Sequence, residues 1–302
     1  MSVRRWLVGV CLALASPSGV SAAAGPTRFT VVDAGTVGKP DLILIPGLTS
    51  SRAVWADEAA RLAPDYRLHL VQVNGFAGQP AGANATGDAL LPAIVEDLHA
   101  YIAAGGMHPM VVGHSMGGLL ALMLAKAHPG DVARMVIVDA QPFYGLMFGP
   151  QATVESVAPM ARAMRDGALH QSPAQRDAVA RATAAMLVLN PDRRRQVAED
   201  SLSSDPHVMA QAMYEDLQTD LRPDLATIRT PTLVLYAFDP TLTFPNGDKA
   251  IREVSDAITA SAYRTMPNVR LERVDGSRHF IMFDQPQRLD ALLRAFLSAP
   301  SP

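Results

Sequence analysis

Residues 110–118 read Met110-Val111-Val112-Gly113-His114-Ser115-Met116-Gly117-Gly118, and Leu119 to Lys126 follow as a run of good helix formers. An apolar strand-like run, a serine with glycine two residues before and after it, then a helix is the context in which G-x-S-x-G carries meaning. The reason is steric. A strand that turns directly into a helix brings backbone segments so close that neither glycine position can hold a side chain. The serine between them is forced into a strained conformation that presents its hydroxyl at the edge of the sheet. The five-residue pattern alone recurs by chance; the strand before and the helix after make Ser115 a candidate nucleophile.

On either side of this turn the chain alternates strand and helix patterns. Phe29–Val32, Asp41–Ile45, Leu68–Val73, Met110–Val112, Arg134–Asp139, Thr232–Ala237 and Val269–Val274 read as strands. Several are apolar throughout, as buried parallel strands are. Helix patterns cover Val54 to Leu62, about Asp88 to Ala104, the stretch after Ser115, a segment from about Asp248, and Pro286 to Leu297. Such alternation predicts an α/β fold, a mostly parallel sheet flanked by helices. The rhythm breaks over residues 141–229, where helical patterns carry Met147, Met160, Met164, Met186, Met209 and Met213. Methionine is flexible and polarizable, so a helical cap rich in it suits the malleable wall of a pocket. The expected division is a core of residues 25–140 and 230–302 with a cap of residues 141–229.

The chain has 302 residues, 49% hydrophobic and 18% charged, with a formal net charge of −3. That is the composition of a globular protein, and the slight acidity without a basic stripe argues against a nucleic-acid partner. Residues 1–24 resemble an export signal: Arg4-Arg5, an apolar core from Trp6 to Ala15, then Ser21-Ala22-Ala23-Ala24 for cleavage. The core is too short to span a bilayer. The expected location is therefore periplasmic or secreted, with no membrane span after signal removal. The single cysteine, Cys11, lies inside that segment, so the mature chain would have neither a disulfide nor a thiol nucleophile.

A serine hydroxyl needs a base, a group that orients the base, and donors for the oxyanion. His279, in Asp275-Gly276-Ser277-Arg278-His279-Phe280, sits on a loop after the last strand pattern and before the last helix. The other histidines fit worse. His69 is in a strand, His99 on a helix, His108 and His128 border prolines, and His170 and His207 fall in the cap.

With Gly113-His114-Ser115-Met116-Gly117-Gly118, Ile45-Pro46-Gly47-Leu48, and His279-Phe280 before Gln285-Pro286, the chain resembles the α/β-hydrolase superfamily over about residues 28–298. The resemblance implies a serine–acid–histidine order. Asp239, closing the Thr232–Ala237 strand, is the preferred acid, because an orienting carboxylate must reach the His279 loop from a neighbouring strand end. Asp139, one strand earlier, is the rival. The resemblance also places the oxyanion hole at the backbone N–H groups of Leu48 and Met116, the latter at a helix start where the dipole favours negative charge. Phe143, Tyr144, Met147 and Phe148 are candidate substrate contacts, Asn74, Phe76 and Gln79 weaker ones, and His114 reads as a packing residue.

The implied activity is that of a serine hydrolase acting on an ester, thioester or lactone of a small, fairly apolar substrate, with no cofactor and no metal. Hydrolysis of a carbon–carbon bond is the alternative chemistry, and a non-catalytic ligand-binding protein is the alternative class. Dehalogenase and epoxide hydrolase chemistry is disfavoured, because those relatives carry an aspartate where Ser115 stands. No heptad pattern or evident patch marks an oligomer interface.

Overall fold

The apolar runs assemble into one seven-stranded sheet in the computed structural model, which describes residues 25–86, 89–243 and 249–299. The export-signal reading of residues 1–24 lies outside the described residues. The strands are β1 (Phe29–Gly35), β2 (Asp41–Ile45), β3 (Arg67–Val73), β4 (Met110–His114), β5 (Arg134–Val138), β6 (Thr232–Phe238) and β7 (Val269–Asp275). Their spatial order is β1-β3-β2-β4-β5-β6-β7. Every neighbouring pair is parallel except β1 with β3, which run antiparallel from Phe29 opposite Val73 to Gly35 opposite Arg67.

Alternate residues of a strand face opposite sides of the sheet, so a strand apolar at every position needs cover on both. Leu42 and Leu44 of β2, Val112 of β4, Val136 and Val138 of β5, and Leu233 and Leu235 of β6 enter one buried cluster. Ile43, Ile45, Val111, Met135, Ile137 and Val234, the alternating partners, enter the other. The helices are α1 (Ala56–Leu62), α2 (Leu90–Ala104), α3 (Met116–Ala127), α4 (Val154–Leu169), α5 (Pro173–Leu187), α6 (Pro191–Ser203), α7 (Pro206–Gln218), α8 (Arg252–Tyr263), α9 (Ile281–Asp284) and α10 (Pro286–Leu297). Helices α2, α3 and α8 bury apolar side chains against one face of the sheet, and α1, α9 and α10 against the other. Each large aliphatic side chain removed from water in this way contributes about 2 kcal/mol. No helix among the described residues is long and apolar enough to cross a membrane.

Between β5 and β6 the regular elements are helical, α4 to α7 preceded and followed by 3-10 turns. Their starts are written locally. Ser172, Asn190 and Asp205 each accept a backbone N–H at a helix N-terminus, and Pro173, Pro191 and Pro206 follow, where a missing N–H costs nothing. Thr153 and Ser156 form a reciprocal capping box on α4. Helix α4 packs on α7 and α5 on α6. Ala180, Ala184, Val188, Val197 and Ala198 tie the second pair to the core, while Val208 and Ala212 of α7 join the opposite cluster.

The turn from β4 into α3 has no spare volume. A Cβ on Gly113 would lie 2.2 Å from the Gly117 carbonyl oxygen, and one on Gly117 would lie 2.4 Å from that of Ile45. Backbone cannot yield as a side-chain tip can, so Gly117→Ala is expected to cost about 3 kcal/mol or more. Gly167, exposed on α4, gives the opposite expectation, since no heavy atom lies within 4 Å of the place a Cβ would take there. Gly167→Ala should gain about 0.5–1 kcal/mol through helix propensity and a less flexible unfolded chain. Urea or thermal unfolding of the two variants tests both signs; a Gly117→Ala protein as stable as the parent would refute the steric argument.

Candidate active site

Ser115 links the end of β4 to the start of α3 with φ 54° and ψ −127°, a left-handed backbone held by its N–H bond to the Val138 carbonyl (3.0 Å). Such strain persists only where the surroundings over-determine it. The expected strained serine is therefore present, but it is not open at the sheet edge. Ser115 is 8% exposed, because the helices between β5 and β6 close over it and enclose a cavity of about 1400 Å³. Tyr144, on the 3-10 turn after β5, places its hydroxyl 3.4 Å from Ser115 Oγ and 3.3 Å from the Asp139 carbonyl oxygen.

His279 also lines this cavity, and its Nδ1 lies 2.6 Å from Asp139 Oδ2. The other oxygen of Asp139 accepts the Ala237 N–H at 2.8 Å, so the carboxylate is fixed at both ends. Asp139 itself has φ 48° and stands just past β5. The preference for Asp239 is thus corrected: Asp139, not Asp239, meets the histidine. Asp239 is taken by the neighbouring residue. Its Oδ2 accepts Arg278 Nε at 2.8 Å, and its Oδ1 accepts the Thr241 N–H and hydroxyl at 2.9 and 2.7 Å. Burial works against the Asp239 charge, but these hydrogen bonds outweigh it and hold the carboxyl below the ordinary carboxylate value. Arg278 also donates to the Ala185 carbonyl on α5, so Asp239 anchors both the histidine loop and the helices above.

His114, fully buried on β4, steadies the same loop. Its Nε2 donates to the His279 carbonyl at 3.0 Å, and its ring packs 4.6 Å from His279 and 4.7 Å from Phe280. Burial first, then the nearby His279, lower its pKa well below the usual histidine value, so it stays neutral. The reading of His114 as packing agrees with this, with a loop-holding hydrogen bond added.

The Pro46-Gly47-Leu48 loop runs against the serine. A Cβ on Gly47 would lie 2.9 Å from Ser115 Cβ, and Leu48 lines the cavity. The Met116 side chain is buried in the core, so only its backbone N–H, at the first position of α3, faces the question of an oxyanion.

The substrate-contact expectations divide. Tyr144 and Met147 line the cavity, but Phe143 does not. It is buried with Val157, Ala161 and Leu217, under the Arg222 guanidinium 4.5 Å from its ring centre. The apolar cluster that joins α4 to α7 needs a large side chain there, and that need wins. Phe148, Asn74, Phe76 and Gln79 are likewise absent from the cavity wall. Of the six methionines, Met147, Met164, Met186, Met209 and Met213 line the cavity and Met160 does not.

Among the cavity residues that the sequence did not single out, one is a buried carboxylic acid. Asp216 on α7 is 8% exposed, and its Oδ1 has no hydrogen-bond partner among the described residues. Burial alone pushes its carboxyl up to about 8. A signal exists in the chain: Asp216 follows Met213 by three residues and Met209 by seven, a carboxylate on an apolar helical stripe. Away from the cavity, His99, His128 and Asp131 are the described side chains spaced to hold a metal ion. Their imidazoles stack 3.7 Å apart, with His99 paired to Asp131 and His128 to Glu96.

The fold and this site define a class. The model of the alpha/beta hydrolase family matches residues 42–292. The chain belongs to that family. It is similar to the pimeloyl-[acyl-carrier protein] methyl ester esterase of Edwardsiella ictaluri, 27% identical over 209 residues, covering 66% of this chain and 74% of that protein. It is also similar to the enzyme of that name from Aromatoleum aromaticum, 34% identical over 109 residues, covering 35% of this chain but only 39% of the relative. Among solved structures, a hydrolase from Pseudomonas aeruginosa shares the fold with a TM-score of 0.71 at 20% identity, over 90% of this chain and 94% of that one.

The raised pKa of Asp216 sets the sign of a pH effect. Its folded-state value near 8 exceeds the unfolded value of about 3.9, so the folded protein holds the extra proton between them. Stability associated with this group is full below about pH 4 and is lost as pH rises towards 8. Asp216→Asn removes the dependence. The melting temperature of the variant is expected to gain on the parent by about 5 °C or more between pH 5 and pH 9. Glu58, raised to about 7 chiefly by burial, is common to both proteins and cancels. A constant difference across that range would refute the assignment.

Proposed function

We propose that this chain is a serine hydrolase that cleaves a carboxylic ester of a small, fairly apolar substrate through Ser115, His279 and Asp139. The observation that carries the reading is the 2.6 Å bond between His279 Nδ1 and Asp139, on the wall that also holds Ser115. The ester esterases to which the chain is similar favour this bond class, and the methionine wall favours an apolar substrate.

Each step follows from a charge that has to be placed. Asp139 fixes the Nδ1–H tautomer of His279, leaving Nε2 free to take the Ser115 proton as Oγ attacks the carbonyl carbon. Negative charge then develops on the carbonyl oxygen, and the Leu48 and Met116 N–H groups receive it. A donor of this kind lowers the barrier by about 3 kcal/mol. His279 returns its proton to the departing alcohol, the acyl group stays on Ser115, and a water activated by the same imidazole releases the acid. His114 and Asp239 hold the loop from which His279 acts. The cap over residues 141–229 excludes bulk water and so strengthens these interactions. The signal pattern of residues 1–24 supports action outside the cytoplasm.

A fluorophosphonate probe should label the parent enzyme and not Ser115→Ala. With p-nitrophenyl butyrate, Asp139→Asn is expected to lower kcat by about 10³–10⁴-fold, since the amide selects the wrong imidazole tautomer. Asp239→Asn should lower kcat less than about tenfold, yet reduce stability by about 3 kcal/mol by removing the carboxylate that balances the charge of the half-buried Arg278. Near-parental turnover in Asp139→Asn, or labelling that survives loss of Ser115, would overturn the reading.

A further inference from the structure

We propose that Asp216 is a recognition site for a hydroxyl group on the acyl chain of the substrate, so that this enzyme prefers hydroxylated esters. The proposal rests on the ester-hydrolase reading of the same cavity and adds the polar group that the substrate carries.

The cavity wall contributed by α7 is apolar apart from this residue. Met209, Met213 and Leu217 line it together with Asp216, and Met164 of α4 and Met186 of α5 add to the apolar surface, with Arg176 and Thr183 of α5 also on the wall. A carboxyl in such a wall is costly, and with Oδ1 enclosed and unpartnered, Oδ2 is the oxygen that a group in the cavity meets. A leucine or methionine at the same place would pack at no such cost. No cation offsets the carboxyl: burial is the only influence on its pKa, which leaves it protonated at neutral pH.

A protonated carboxyl donates one hydrogen bond or accepts one, and an alcohol does the same, so a substrate hydroxyl pairs with Asp216 whichever of the two supplies the proton. An ammonium group fits less well. It needs the ionised form, and Arg176 and Lys249, which line the same cavity, repel it. Asp216 is also close enough to the reacting centre to matter. Its charge is among the influences that raise the pKa of Tyr144, after burial itself, and the Tyr144 hydroxyl lies 3.4 Å from Ser115 Oγ. Ser115 and Asp216 line one cavity, so an ester with its carbonyl at Ser115 extends its acyl chain along the wall that carries Asp216.

The test is a rate panel of methyl esters followed by pH-stat: hexanoate, its 3-, 5- and 6-hydroxy derivatives, and 6-aminohexanoate. In the parent enzyme at least one hydroxy ester is expected to exceed hexanoate in kcat/KM by about tenfold or more, as a site with a buried polar group rejects an analogue lacking the partner. In Asp216→Leu that ratio should fall to about one; Asp216→Ala serves if the leucine variant does not fold. Because the readout is a ratio within one protein, a general loss of activity does not imitate the result. A parental ratio near one for every isomer, a ratio unchanged in the Leu or Ala variant, or a preference for the amino ester would each overturn the proposal. Turnover of hexanoate with fluorophosphonate labelling, but no hydroxyl preference, rejects this inference alone. Absence of both turnover and labelling rejects the ester-hydrolase reading and this inference with it.

Discussion

Three backbone segments meet at the Ser115 turn with no room for a side chain among them. The end of β4, the first turn of α3 and the Ile45–Gly47 stretch approach closely enough that methyl groups on Gly113 or Gly117 would overlap carbonyl oxygens. That contact holds Ser115 at a positive φ that it would not adopt alone. It also brings the backbone of Gly47, and with it Leu48, beside the serine. The strained serine and the approach of the Leu48 and Met116 backbone to it are therefore consequences of one steric constraint, supported by a sheet whose two faces are buried by helices.

The histidine is positioned differently, by hydrogen bonds on a loop. Arg278 and His279 are adjacent and turn opposite ways: Arg278 pairs with Asp239 and the α5 carbonyl of Ala185, and His279 with Asp139. His114 holds the His279 backbone from β4. The imidazole is thus drawn across the end of β6 towards β5 and β4, where Ser115 stands. Asp239 and Asp139 both serve the loop, one by fixing its neighbour and the other by fixing the ring.

The helical segment between β5 and β6 joins these two systems. Arg278 connects it to the histidine loop, Tyr144 connects it to the serine, and its methionines complete the apolar wall. Asp216 stands out because it opposes the stability of that wall. Natural sequences concentrate such local inconsistencies at functional or strained sites.

Much of this was legible along the chain, because it depends on short-range rules. Strand periodicity, the proline-led helix starts at Ser172, Asn190 and Asp205, and the glycine spacing around Ser115 act within a few residues. They determined the α/β sheet, the helical segment before β6 and the strained serine, and the loop position singled out His279. The choice between Asp139 and Asp239 was decided only by the tertiary structure, since it turns on which way two adjacent side chains face and on Arg278 capturing one carboxylate first. The burial of Phe143 away from the cavity, and of Asp216 within it, was decided there as well. Helix periodicity names a buried face, but whether that face meets another helix or an open cavity depends on packing between segments far apart in sequence.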